Sequence, residues 1–404
     1  MKTYFASMFA LTGLFAVMGF NVAQPTKVTL TGARPEIHAI NYASLQEAID
    51  AVPEDGGIVR IPPGIFELSE PLVISGEDIT LEGSGAATHL INMNTEGKPA
   101  ILLSHPDVKN PLTDKHNLWR IRLAHFRVTG NEKSGHGIEA RRINEIHIDS
   151  VTISENGGDG ILLDHCYEDP RISDCLITYN KQVGLNLLGC HDIIVSANQF
   201  EENNDALHCI DGYNLAMSGN NLDDHLRHGV VIENTYGSFV SANMIEECQG
   251  SAVIMDRDCY GNTVSANVIA HNGGGVDLRD AHGCAISANT FTLMKSDAVR
   301  IGPASGRITV SANHFSNSYL GDGKVKRAAN DLLASGLILE GTHHIGISGN
   351  GFSGLHTPAI EVRGEPSTQI LIDGNVLTDV ESQHENLPEP VLGEMIHTPV
   401  SSDE

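Results

Sequence analysis

Nine times along the chain a four-residue phrase opens on a small residue and then alternates apolar, variable, apolar. The copies begin at Gly160, Gly184, Ala206, Gly229, Ala252, Gly275, Ala298, Gly336 and Ala359. Their third positions are Leu162, Asn186, His208, Val231, Ile254, Asp277, Arg300, Ile338 and Glu361, of every chemical type. A period of two puts the second and fourth positions on one side of a strand and the third on the other. Between the copies a second phrase recurs, Ser196-Ala197-Asn198, Ser218-Gly219-Asn220, Ser241-Ala242-Asn243, Ser265-Ala266-Asn267, Ser287-Ala288-Asn289 and Ser311-Ala312-Asn313. These asparagines stand 22, 23, 24, 22 and 24 residues apart, and a looser form continues at Asn350 and Asn375. Ser150 and Cys175 are assigned to the same slot upstream.

A period in the low twenties with no helical pattern inside it predicts a solenoid of short strands. Coils of about 23 residues holding two or three strands each fit an all-β, single-stranded right-handed parallel β-helix of about eleven or more coils. Two inward columns per rung form its core, and the asparagines form an interior ladder at one turn. A short amphipathic helix over residues 44–51 is expected to cap the open N-terminal edge, which would otherwise pair with another chain. Strands are expected at 58–61, 79–81 and 100–103, a loop at 104–117, and regular coils from near Leu118.

The stretches Leu45-Gln46-Glu47-Ala48-Ile49-Asp50-Ala51 and Gly56-Gly57-Ile58-Val59-Arg60-Ile61-Pro62-Pro63-Gly64-Ile65-Phe66, together with the repeats, resemble the pectate-lyase-like superfamily over residues 40–380. That resemblance implies carbohydrate-binding or sugar-cleaving chemistry on a scaffold that also hosts epimerases and non-catalytic proteins. The polygalacturonase motifs are absent as a set, and Gly135-His136-Gly137 precedes every candidate carboxylate pair. Where the mannuronan epimerases carry Asp-Pro-His, the nearest match is Asp169-Pro170-Arg171. Asp223-Asp224-His225 resembles the carboxylate-and-histidine cluster of β-helix uronate-modifying enzymes.

Composition narrows the partners. A formal charge of −26 repels nucleic acid and anionic membranes, and disfavours a bare polyuronate unless calcium or a basic groove offsets it. Met1-Lys2 followed by an apolar run over residues 5–20 reads as a secretory signal within 1–23, and no later segment is long and apolar enough to insert in a membrane. The expected organisation is signal 1–23, β-helix 24–380 and a C-terminal cap or loose tail 381–404, in a secreted or periplasmic protein. The seven cysteines lack CxxC spacing and read as small hydrophobes of the core.

Chemistry must then come from the outward columns, stacked about 4.8 Å apart. The expected catalytic set is His208, His228, Glu233, Asp256, Arg279 and Arg300. Histidine carries protons near neutral pH, and paired carboxylates one rung apart suit glycosidic chemistry or Ca²⁺. Asp205 and Asp277 are expected to hold substrate. So are Lys324, Lys326 and Arg327, a basic cluster in the 37-residue interval between Asn313 and Asn350. The expectation is an exported protein that binds and cleaves a polysaccharide or oligosaccharide as a lyase or glycosidase. A non-catalytic periplasmic binding or maturation protein is the alternative, with a structural adhesin behind it. In the adhesin, Val231, Ile254 and Ile338 would form an outward partner patch.

Overall fold

The structure, a computed structural model, describes residues 30–316, 335–355, 357–378, 380 and 384–385. From Arg34 onward these belong to one compact unit. Three parallel sheets are wound from one continuous chain. The first sheet starts at Glu36–His38, the second at Gly64–Leu68 and the third at Leu72–Ile74. The second and third sheets hold 13 strands each, giving about thirteen turns of an all-β solenoid. A typical coil donates Ile194–Ser196 to the first sheet, Gln199–Glu201 to the second and Asp205–Ile210 to the third. The next coil follows in register, pairing Leu207 with Val230 and Cys209 with Ile232.

The alternation has the predicted consequence. Leu163, Leu187, Ile232 and Leu278 are fully buried and belong to one continuous hydrophobic cluster. The small residue opening each phrase is set by backbone proximity. A Cβ on Gly275 would lie 2.0 Å from the Ala298 carbonyl oxygen, and one on Gly229 would lie 2.5 Å from that of Ala252. All seven cysteines are buried and free. Burial raises the Cys175, Cys209 and Cys248 thiols to about 12, which leaves them inert packing groups.

At the turn between the first and second sheets, the serine ends a strand and the next residue turns with positive φ, 58° at Ala197 and 57° at Ala242. A small residue or glycine carries the least strain there. The asparagine then points inward. Each Nδ2 donates to the Oδ1 of the next rung, at 2.9 Å from Asn267 to Asn289 and 3.0 Å from Asn289 to Asn313. The ladder runs without a break from Asn198 to Asn375. Cys175 enters it by donating its N–H to Asn198 Oδ1. Ser150 does not, because its φ of 54° puts it at the turning position, and the ladder slot falls to the buried Val151.

A second interior column, between the second and third sheets, runs Asn156, Asn180, Asn203 and then His225, Cys248 and Asn272. The first two steps are amide-to-amide bonds of 2.8 Å. At the N-terminal end, the helix Leu45–Asp50 is capped by Ser44, whose Oγ accepts the Glu47 N–H. Gln46 bonds both the N–H and the C=O of Val73, in the first strand of the third sheet. Its amide thereby occupies backbone groups of an edge strand. Strands occur at Gly57–Arg60, Ile79–Glu82 and Ile101–Ser104, so regular coils begin well before Leu118.

Candidate functional site

The outward column of the third sheet brings Asp205, His208 and His228 together, because Asp205 and His208 share a strand and His228 precedes its neighbour in register. Asp205 is only 1% exposed. Its Oδ1 accepts the His228 backbone N–H at 2.7 Å, while Oδ2 lies 2.9 Å from His208 Nε2 and 3.3 Å from Arg227 Nη2. Burial alone would raise this carboxyl. The bonds from His208 and the His228 N–H, with the charges of His208 and Arg227, outweigh it and hold Asp205 below the usual carboxylate range. An ionised carboxylate only accepts, so His208 Nε2 carries a proton, and in the neutral imidazole Nδ1 is the free base. At His228, Nδ1 accepts the Ser251 N–H at 3.0 Å, which places its proton on Nε2. Burial lowers the His228 imidazole below its ordinary value. Asp205 opposes that shift, and Arg227, Arg279 and His208 reinforce it, so His228 stays neutral near pH 7.

Beside His228 the face opens into a cleft of about 120 Å³. Ser251, Gly274, Asp277, Ser296, Asp297 and Arg300 line it. Gly274 and Gly275 leave side chains off this floor. Arg300 ties Asp277 at 3.2 Å to Glu340 at 2.5 Å. Arg279 holds Asp277 at 2.8 Å and stands 4.0 Å from Asp256. Glu233 and Asp256 are neighbours in register, and Arg257 engages Glu233 at 2.9 Å. Arg363 reaches Asp297 at 3.1 Å.

The expected catalytic residues, with Asp205 and Asp277 expected to hold substrate, therefore share one face but divide into two groups. Asp205, His208 and His228 form an oriented proton-transfer cluster, while Glu233, Asp256, Asp277, Arg279 and Arg300 form an ion-pair ladder. Lys324, Lys326 and Arg327 lie outside the described residues. Arg227, Arg257, Asp297 and Glu340 complete the network. Arg227 and Arg257 sit in turns with no repeat to flag them, and only the coil register brings the other two into the face.

Two expectations fail. Val231, Ile254 and Ile338 do not form an exposed patch, being 6%, 2% and 0% exposed. Asp223-Asp224-His225 is not one cluster. Asp223 faces outward from the second sheet, whereas His225 enters the interior column and is wholly buried. Carboxylates gather tightly enough for a cation away from the cleft, as Asp223–Asp224–Glu247 and Asp258–Asp280–His282, with ligand atoms within 4.8 Å of one another.

A solenoid of three parallel sheets around one continuous apolar interior defines the class of right-handed parallel β-helix proteins. The family profile described as right handed beta helix region matches residues 117–269 and 251–385, and the chain belongs to that family. No curated protein matches it. Among solved structures it is similar to the A-module of mannuronan C-5 epimerase AlgE6 from Azotobacter vinelandii, with 14% identity, TM-score 0.58, and 89% of this chain covering 100% of that one. It is similar also to a mutant DFA-IIIase of Arthrobacter chlorophenolicus in complex with DFA-III, at 12% identity, TM-score 0.58, and coverage of 77% and 94%. A family 28 exopolygalacturonase from Yersinia enterocolitica shares 12% identity and TM-score 0.51 over 89% of this chain and 79% of its own. At these identities the likeness establishes the fold.

Proposed function

We propose that this chain is an exported carbohydrate-active protein that binds a polysaccharide along the outer face of the third sheet and breaks a glycosidic bond there. The observation that carries this reading is Asp205. A nearly buried carboxylate that orients His208 and fixes the backbone of His228 beside an open cleft is an arrangement for moving protons. In the hydrolysis proposed, water forms a new C–O bond as the glycosidic C–O bond breaks. His208 Nδ1 takes the water's proton, the departing oxygen, hydrogen-bonded by His228 Nε2–H, takes up a proton from solvent, and His208 then returns its own to solvent. Among the described residues, every arginine named on this face is already matched by a carboxylate. None of them is left over to neutralise a uronate, which favours hydrolysis of a neutral or weakly charged glycan over a lyase step. The named activities of the structural relatives (epimerase, DFA-IIIase, exopolygalacturonase) agree with sugar chemistry on this scaffold.

The test is incubation with a panel of polysaccharides, with Ca²⁺ and with EDTA, reading reducing ends and the ultraviolet absorbance of unsaturated products. New reducing ends that disappear in His208→Ala are expected; silence across the panel removes the reading. The mutual pairing of Asp277, Arg279, Arg300 and Glu340 favours a second one, a non-catalytic glycan-binding protein. Saturable binding without turnover would select it.

A further inference from the structure

Where the chain leaves the third sheet and returns to the first, a column of aromatic side chains climbs from rung to rung. Ring centroids follow one another at 4.6 Å from Tyr167 to His191, 5.3 Å to Tyr213, 5.0 Å to Tyr236 and 4.8 Å to Tyr260. The backbones of His191, Tyr213, Tyr236 and Tyr260 are bridged in parallel, so the column is built into the winding. Its two ends differ. At one, the Arg142 guanidinium lies over the Tyr167 ring at 5.4 Å. At the other, Tyr260 stacks on Tyr236 with 7° between the planes. His282 occupies the next register position, but Asp280 holds its Nε2 at 3.1 Å. Among the described residues Tyr260 has no ring neighbour on that side, and it is 49% exposed. About half of the residue is open to solvent.

Two positions earlier in each rung a polar column runs alongside, Asp211, Asn234, Asp258 and Asp280. Asn234 Nδ2 donates to Asp211 Oδ1 at 2.8 Å, and the Asp258 N–H donates to Asp280 Oδ2 at 2.8 Å. Asp258 and Asp280 together with His282 bring their polar atoms within 4.8 Å of one another beside the open ring. An aromatic face attracts the weakly positive C–H side of a sugar ring, and ionised carboxylates accept hydrogen bonds from its hydroxyls.

We infer that this strip is a carbohydrate-binding site separate from the cleft, with a neutral sugar unit stacked on Tyr260 and its hydroxyls bonded to Asp258 and Asp280. A uronate is disfavoured, because its own carboxylate would sit beside two others. The rung spacing of about 4.8 Å is close to the length of one sugar unit, so a chain lying along the axis keeps pace with the column. Glu233 leads directly into Asn234, and Asp256 into Asp258 through Arg257, so one polymer can lie on both the third sheet and this strip. The inference rests on the carbohydrate reading above but does not require turnover.

Its test is a binding measurement by calorimetry and affinity gel electrophoresis on the full chain. The probes are a soluble mixed-linkage β-glucan and polygalacturonate, each with Ca²⁺ and with EDTA. The β-glucan is expected to bind in both conditions and to outcompete polygalacturonate. Tyr260→Ala is expected to weaken it about tenfold, the loss of one stacking contact with its hydrogen-bond alignment. Tyr260→Phe keeps the ring face and is expected to retain the affinity, and circular dichroism confirms that each variant is folded. Equal affinity in wild type and Tyr260→Ala overturns the inference. Preference for polygalacturonate, binding only with Ca²⁺, or no binding at all does the same. Binding that depends on Tyr260 without cleavage of any glycan removes the proposed reaction and leaves this site standing. Cleavage with binding indifferent to Tyr260 does the reverse.

Discussion

Two columns of the same solenoid obey opposite rules. At the asparagine turn, one residue and one hydrogen bond recur from Asn198 to Asn375, and the bond length barely changes. On the outer face of the third sheet the residue changes at each rung, from Asn186 to His208, Val231, Ile254, Asp277 and Arg300. Both sets stand in parallel register on one backbone. The monotonous column faces the core, where an unpaired amide is costly, so one solution is repeated. The varied column lies on the other side of the sheet, where its members range from the covered Val231 and Ile254 to the partly exposed His208 and Arg300, and no single residue type is repeated.

The largest effect that sharpens this contrast is on activity. His208→Ala and Asp205→Asn are each expected to lower turnover about a hundredfold or more, the usual worth of a positioned acid–base group. Melting temperatures should fall moderately for His208→Ala, which removes a 2.9 Å partner from the buried Asp205 carboxylate, with the folded protein retained at assay temperature. A comparable loss of stability and activity in both variants would make the face structural.

Second comes the ladder. Asn267→Ala strips partners from the Asn243 N–H and side chain and from the Val240 carbonyl, all interior. A loss of about 3 kcal/mol in chemical denaturation is expected, with catalysis unchanged in the folded fraction.

Third is His225, the histidine in the second asparagine column, whose Nε2 has no hydrogen-bond partner among the described residues. Burial lowers it to about 4 from its ordinary 6.5. The unfolded chain therefore binds a proton first. Stability supported by neutral His225 is complete above about 6.5 and is lost as pH falls towards 4. Asp223 acts in the opposite sense. Burial, with Asp224, Glu246 and Glu247 nearby, raises it from 3.8 to about 6, so its contribution is present below 3.8 and lost as pH rises through about 6. Melts of His225→Asn over this range should show a smaller loss on acidification than wild type. An unchanged pH profile would mean that His225 is not held neutral.

The smallest effect belongs to the outward serines. Ser241→Ala removes a 3.1 Å contact with Ser265 Oγ and should cost less than about 0.5 kcal/mol in the same denaturation series.

This contrast also explains what could be read in the sequence. The inward columns and the asparagines were legible because the fold repeats a physical demand every coil, and repetition survives as pattern. The slot given to Ser150 slipped by one residue, since Val151 fills the same space without the amide that marks it elsewhere. Asp205, His208 and His228 were found together because the first two share one strand and the third stands just before the strand that pairs with it. Arg227 was missed because it lies in a turn, where spacing says nothing of direction. Asp223-Asp224-His225 misled for a related reason. Adjacent residues in a coil face opposite ways, and a three-letter match cannot show that His225 turns inward. The aromatic column keeps the same low-twenties period, Tyr167, His191, Tyr213, Tyr236 and Tyr260, but it escaped notice because it lies in a turn outside the two phrases that were followed. Only the backbone bridges reveal it.

Asn313 bonds Asn350 at 3.0 Å although 37 residues separate them, and Phe315 stacks on Phe352 at 4.8 Å in the next position. The interior there is continuous from one coil to the next, however much chain intervenes. That junction is a ready-made splice point. Foreign sequence could be grafted between those coils, or the intervening sequence shortened, while the rest of the winding keeps its thread.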